Sequence, residues 1–223
     1  MTPLDRRRRA VAEALGTAFL LATVVGSGIM AERLAGGNVA VALLANALAT
    51  GGALVALILA LGPVSGAHLN PLVTAAFVAR GELAWRDGLA YGGAQLAGAF
   101  AGVALAHVMF DQPLFFASRH VRSGVGEWTG EVVATFGLLL TIFGCVRARV
   151  EAVPYAVGSY VTAAYWFTSS TSFANPAVTL ARCGTDTFAG IRPIDAPGFI
   201  AAQVLGAVAA MALSGWLFRQ RSP

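Results

Sequence analysis

Six apolar stretches organise the chain, at residues 11–30, 39–61, 88–110, 128–146, 153–173 and 198–218. Each is about 20 residues long, the length at which an α-helix spans the roughly 30 Å hydrocarbon layer of a bilayer. Between them there is little to coat a soluble body. Of the 223 residues, 57% are hydrophobic and 12% are charged, about half the charge share of an ordinary water-soluble domain. Lipid has to cover what charge does not. The expected fold class is therefore an all-α membrane protein with six transmembrane helices, and a soluble enzyme is excluded.

All fifteen basic residues are arginines and the net charge is +4. A nucleic-acid partner would need them gathered on one face, yet they sit between the apolar runs. With six crossings both termini share a side. Arg6, Arg7, Arg8, Arg9, Arg80, Arg86, Arg147, Arg149, Arg219 and Arg221 fall there, against Arg33, Arg119, Arg122, Arg182 and Arg192 opposite. That asymmetry places both termini in the cytoplasm and the body in the cell membrane. A cleaved signal peptide is the competing reading of the first run, but the run is long, carries Glu13 and lacks a cleavage site. Cys145 and Cys183 are too few for a disulfide framework and have no metal-ligand spacing. No cofactor is expected, and no nucleophile–base–orienter set is present.

Two shorter segments do not fit plain spans. Residues 62–80 and 170–183 each open with small turn formers, reach Asn-Pro, and continue as a short apolar helix pattern. Asn is a favoured N-cap and Pro a favoured first helical residue, so each reads as a loop that dips into the membrane and starts a half-helix, at 70–80 and 175–183. The chain also aligns with itself. Glu13, Thr17 and Gly26 are spaced as Glu131, Thr135 and Gly144 are; Asn70-Pro71-Leu72-Val73-Thr74 answers Asn175-Pro176-Ala177-Val178-Thr179; Ala94–Ala99 and Ala202–Ala207 share Ala-Gln-x-x-Gly-Ala. Three crossings per half force the halves into opposite orientations, an inverted repeat with its site at mid-membrane. The expected organisation is a basic tail 1–9, a first repeat 10–110, an external connection 111–126, a second repeat 127–218 and a tail 219–223. Non-helical backbone at membrane depth is tolerated where it lines a water-filled path.

These paired Asn-Pro boxes, glutamates and Gln-x-x-Gly elements resemble the aquaporin and aquaglyceroporin (major intrinsic protein) family, over residues 10–218. The resemblance implies a homotetramer with a pore in each subunit and passive flow of water or small neutral solutes. It implies that Asn70 and Asn175 offer their amides to the permeant at the pore centre, while the positive ends of the half-helices repel cations there. It implies that Glu13 and Glu131 support the re-entrant loops by accepting backbone N–H bonds, and that His68 packs in the loop or the pore wall. The first box departs from the family by reading Pro71-Leu72 where Pro-Ala is usual; the second keeps Pro176-Ala177.

The filter departs further. In most relatives the residue after the second box is arginine; here it is Val178. Arg182 lies one turn further along, roughly 6 Å outward at 1.5 Å per residue, and is expected in the outer vestibule, unable to stand in directly. Carried over by spacing, the other filter positions are Thr50, Ser172 and, in the fifth span, Tyr165 when aligned from Gly158 or Ala163 when counted back from Asn175. Such a ring is wide and weakly polar. It suits glycerol, urea and neutral metalloid hydroxides such as arsenite or its methylated relatives, with some water. Three alternatives remain: a mainly water-conducting pore, a proton-coupled transporter using Glu13 and Glu131, and a non-conducting junctional protein.

Overall fold

A computed structural model describes residues 5–218. Eight α-helices run in the order α1 (Arg6–Leu34), α2 (Val39–Ser65), α3 (Pro71–Ala79), α4 (Trp85–Met109), α5 (Val125–Ala148), α6 (Val153–Phe167), α7 (Pro176–Arg182) and α8 (Ala196–Leu217), with single 3-10 turns at Val150–Ala152 and Pro193–Asp195. Five of them, α1, α2, α4, α5 and α8, are long and apolar enough to cross a membrane. The sixth, α6, has 15 residues, about 22 Å at 1.5 Å per residue. The apolar run expected to cross as far as 173 leaves helical geometry after Phe167. Beyond it, residues 168–175 belong to the second re-entrant loop, whose backbone is spent on other partners. The basic cluster also differs from the expected tail: Arg6–Arg9 form the first turns of α1. Arg6 and Arg9 pair with Asp87 at 2.5 and 3.1 Å, and the Arg9 Nε donates to the Tyr91 hydroxyl at 2.8 Å. Arg219, Arg221 and the expected tail 219–223 lie outside the described residues.

Sheathed by apolar side chains such as Phe19, Leu48, Leu105, Trp166 and Leu205, the outer surface is what a lipid-covered body requires. Inside, glycines let helices touch backbone to backbone. A Cβ on Gly98 would strike the Ala14 carbonyl, and one on Gly206 would strike the Val132 carbonyl. These are equivalent sites of the two repeats, since Gly98 and Gly206 stand three residues after Gln95 and Gln203. Thus α1 packs on α4 as α5 packs on α8. Between the halves, Gly51 of α2 and Gly158 of α6 face each other with no room for a side chain on either. Small residues at crossings are how membrane helices gain close dispersion contact. The two short helices α3 and α7 enter this frame from opposite faces, their N-terminal ends meeting at its centre.

Candidate functional site

Each re-entrant loop is bent by residues in left-handed geometry. Counting back from the asparagine, the fourth, third and first residues have positive φ in both halves: Gly66, Ala67 and Leu69 before Asn70, and Thr171, Ser172 and Ala174 before Asn175. For non-glycine residues each costs of order 1–3 kcal/mol, so something must hold the loops. Two buried carboxylates do. Glu13 Oε1 accepts from the Ser65 hydroxyl at 2.6 Å and the His68 N–H at 2.9 Å, and its Oε2 accepts from the Leu69 N–H at 2.7 Å and Gln95 Nε2 at 2.8 Å. Glu131 accepts from the Phe173 N–H at 2.8 Å, the Ala174 N–H at 2.9 Å and Gln203 Nε2 at 2.6 Å. The same amide nitrogens of Gln95 and Gln203 donate to Thr74 and Thr179, both at 2.9 Å. One network is built twice.

At the centre the two loops clasp each other. Asn70 caps α3 by accepting from the Leu72 N–H at 2.9 Å, and its Nδ2 donates to the Ala174 carbonyl at 2.7 Å. Asn175 caps α7 through the Ala177 and Val178 N–H groups, and its Nδ2 donates to the Leu69 carbonyl at 2.8 Å. An amide NH2 has two hydrogens, so each asparagine retains one donor beyond the clasp. Both line a cavity of about 570 Å³. Pro71 and Pro176 open the half-helices where an N–H is not needed, Leu72 is partly buried against the core, and Ala177 is buried.

The cavity runs from Val150 and Glu151 on the face of the N-terminus to Arg182 toward the other face, past Asn70 and Asn175. One wall is the loop backbone at 66–70 and 172–175; the other is apolar, from Leu20, Val24, Leu54, Ile58, Leu138 and Val161. A passage of this kind offers hydrogen-bond partners along one edge and none along the other. Thr50, Tyr165, Ser172 and Val178 all line it. The Thr50 hydroxyl lies 3.2 Å from that of Tyr165, whereas Ala163, the alternative fifth-span position, is exposed on the outside of α6. The Ser172 hydroxyl is buried without a partner among the described residues. His68 also lines the cavity, its Nδ1 3.2 Å from the Thr74 hydroxyl and its ring 4.7 Å from that of Phe77.

Arg182 is not in an open vestibule. It is 2% exposed and lines the same cavity, with its Nε donating to the Ala189 carbonyl. The expectation of a side chain out in the vestibule is overturned by this burial. His107 was missed altogether. It is fully buried, with Nδ1 2.7 Å from the Leu114 carbonyl and Nε2 2.8 Å from the Thr185 hydroxyl, tying α4 to the segments that roof this end of the bundle. Its only sequence signal was a histidine inside an apolar run. In the same roof, the N–H and guanidinium of Arg119 both bond Asp186 at 2.8 Å and hold its carboxyl below the usual carboxylate range. Cys183 is half-buried, with its thiol 3.4 Å from the Thr179 carbonyl.

Comparison with known proteins agrees with this architecture. Over all 223 residues the chain is 57% identical to the aquaglyceroporin AqpS of Rhizobium meliloti, covering 95% of that protein. Over 170 residues it is 32% identical to Aquaporin Z of Bradyrhizobium diazoefficiens, covering 70% of each. Its fold matches the X-ray structure of the aquaglyceroporin from Plasmodium falciparum with a TM-score of 0.70 over 95% of both chains, at 23% identity. The family description "Major intrinsic protein" matches residues 1–172. With half-helices opposed across an inverted repeat and relatives of this kind along its whole length, the chain belongs to the major intrinsic protein family.

Proposed function

We propose that this protein is a passive channel of the aquaglyceroporin type, carrying small neutral solutes across the cell membrane. The observation that carries the reading is the central clasp: Asn70 and Asn175 meet inside a continuous cavity, each with one amide donor left for a passing molecule. A solute crossing there exchanges its hydration for these donors and for loop carbonyls, while its carbon edge slides along the apolar wall. Cations meet two helix N-termini there, and the nearby Glu13 and Glu131 carboxylates are not among the residues that line the cavity. The protein assembles as a homotetramer with one passage per subunit and both termini in the cytoplasm, as the arginine asymmetry supports. Kinship with an aquaglyceroporin supports glycerol among the permeants.

At the filter, Val178 and Thr50 leave room beside Ser172 for solutes bulkier than water. Urea and neutral metalloid hydroxides, arsenite and methylated arsenicals included, belong to this class. Stopped-flow light scattering on reconstituted vesicles tests the reading, with water, glycerol and arsenite compared in wild type and Val178→Arg. Wild type passes all three above protein-free vesicles, and the variant loses the larger solutes first. Wild-type vesicles that pass water alone would instead support a water channel narrowed by Tyr165, whose hydroxyl is held toward Thr50.

A further inference from the structure

The internal repeat relates the side chains that flank the half-helices as well as the helices. His68 and Phe173 stand two residues before their asparagines, and Phe77 and Arg182 stand seven after. In the first half the later side chain folds back onto the earlier, with the Phe77 and His68 ring centroids 4.7 Å apart. The second half does the same, with Arg182 Cζ 3.4 Å from the centroid of the Phe173 ring. The cause is directional. Helical side chains lean toward the N-terminus of their helix and cover the preceding turn. The N-terminus of α7 is at the cavity centre, so the arginine starts one turn outward and returns inward by about that turn. All four residues line the cavity.

What the guanidinium meets there is informative. Its Nε is fixed on Ala189, but among the described residues its terminal nitrogens make no hydrogen bond and no carboxylate lies within ion-pair distance. A buried charge left without a counterion is costly unless polar molecules solvate it. The cavity is the place from which such molecules can come. Beside it, the Ser172 hydroxyl is also buried and unpartnered. A second cation reinforces the field: Arg122 Cζ lies 5.1 Å from the same Phe173 ring, and its Nε donates to the Gly190 carbonyl at 2.8 Å.

We propose that Arg182 is the selectivity-determining cation of this passage, seated on Phe173 and presenting its terminal N–H groups to the solute just beyond Val178. The proposal rests on the channel reading above and deepens it. The outer constriction is then a two-part filter: a guanidinium fork with the Ser172 hydroxyl, and the apolar Val178 one helical turn further in on the same face of α7. The permeant it fits is a neutral molecule with two or more oxygens on one edge that a planar fork can meet together, such as a polyol or a neutral oxyacid. Metal cations and hydronium are repelled.

The test compares wild type, Arg182→Leu and Arg182→Lys in vesicles, reading potassium and proton flux with entrapped dyes and water and glycerol flux by stopped-flow. A unit charge met at about 5 Å with an effective dielectric of about 20 changes the partition of a cation by roughly two orders of magnitude. Arg182→Leu should raise cation flux by about that factor. Arg182→Lys should keep cations out yet shift the glycerol-to-water ratio at least threefold or so, because charge is retained and the fork is lost. Cation flux at the wild-type level in a monodisperse Arg182→Leu protein overturns the proposal. If that variant fails to fold, an unchanged glycerol-to-water ratio in Arg182→Lys overturns it equally. Failure of the channel reading is seen separately, as wild-type vesicles no more permeable to any solute than bare lipid.

Discussion

Replacing Glu131 by alanine removes the acceptor of three hydrogen bonds at once, from Phe173, Ala174 and Gln203 at 2.6–2.9 Å. The carboxylate is 0% exposed, so water does not take over. Each backbone N–H left unpaired costs about 1–3 kcal/mol, and bonds to an ionised acceptor are individually worth about 1.5–3. The loop they restrain also holds Thr171, Ser172 and Ala174 at positive φ, a strain that relaxes once the restraint is gone. Because neighbouring losses do not add fully, Glu131→Ala should destabilise by about 3–6 kcal/mol. Glu131→Gln keeps volume and one acceptor oxygen but turns an NH2 group toward a donor, and should lose about half of that. Thermal unfolding in detergent gives the magnitude, and hydrogen exchange at the Phe173 and Ala174 amides gives the location. Glycerol flux with and without a pH gradient separates an anchor from a proton relay. Glu131→Gln protein that melts, protects these amides and conducts like wild type would refute the anchoring argument. Normal protection with loss of a pH-driven component would put the relay in its place.

The glycine contacts make a sharper packing test. Gly98→Val and Gly206→Val push a side chain into a backbone carbonyl of the neighbouring helix, whereas Gly52→Val meets nothing within 4 Å, so the first two should fail to yield monodisperse protein and the third should behave as wild type in size-exclusion chromatography. His107→Leu removes its own bonds to the Leu114 carbonyl and the buried Thr185 hydroxyl; a loss of about 1–3 kcal/mol, read as a lower melting temperature with faster proteolysis in 111–124, is expected. Asn70→Ala opens one arm of the clasp, removing both the cap of α3 and a bond to Ala174. It should cost about 1–3 kcal/mol and lower glycerol flux per protein molecule, measured at matched protein density.

Much of this was legible because membrane solvent punishes error severely. Five of the six spans announced themselves by length and apolarity, and Glu13 and Glu131 by being carboxyls where none is affordable without partners. The boxes could be paired because Asn-Pro does the same capping in both halves. What escaped lies one step further from the chain. The end of α6 at Phe167 is invisible in an apolar run that continues to 173, since hydropathy does not distinguish a helix from an extended loop whose N–H groups are taken by a distant carboxylate. Positive φ at Leu69, Thr171 or Ala174 has no compositional mark, because these are not glycines. The destination of Arg182 was misjudged because spacing locates a Cα, while a side chain about as long as a helical turn can undo one turn of displacement.

The same comparison explains where selectivity has to be sought. Residues that build the frame repeat faithfully across the halves, Glu13 with Glu131, Gln95 with Gln203, Gly98 with Gly206, Thr74 with Thr179, because both loops need identical support from an identical bundle. Even Val178 has a counterpart in Val73, and both line the cavity. A position occupied alike at both ends of a passage cannot by itself distinguish one end from the other. The halves diverge at the side chains that fold back along each half-helix: an uncharged Phe77 against His68 at one end, a cationic Arg182 against Phe173 at the other. A symmetric frame with unlike ends can discriminate at one mouth while leaving passage at the other undemanding. Substitutions at Phe77 should therefore change the rate for all neutral solutes together, whereas those at Arg182 should change their ranking, and flux ratios measured on the same vesicles separate the two.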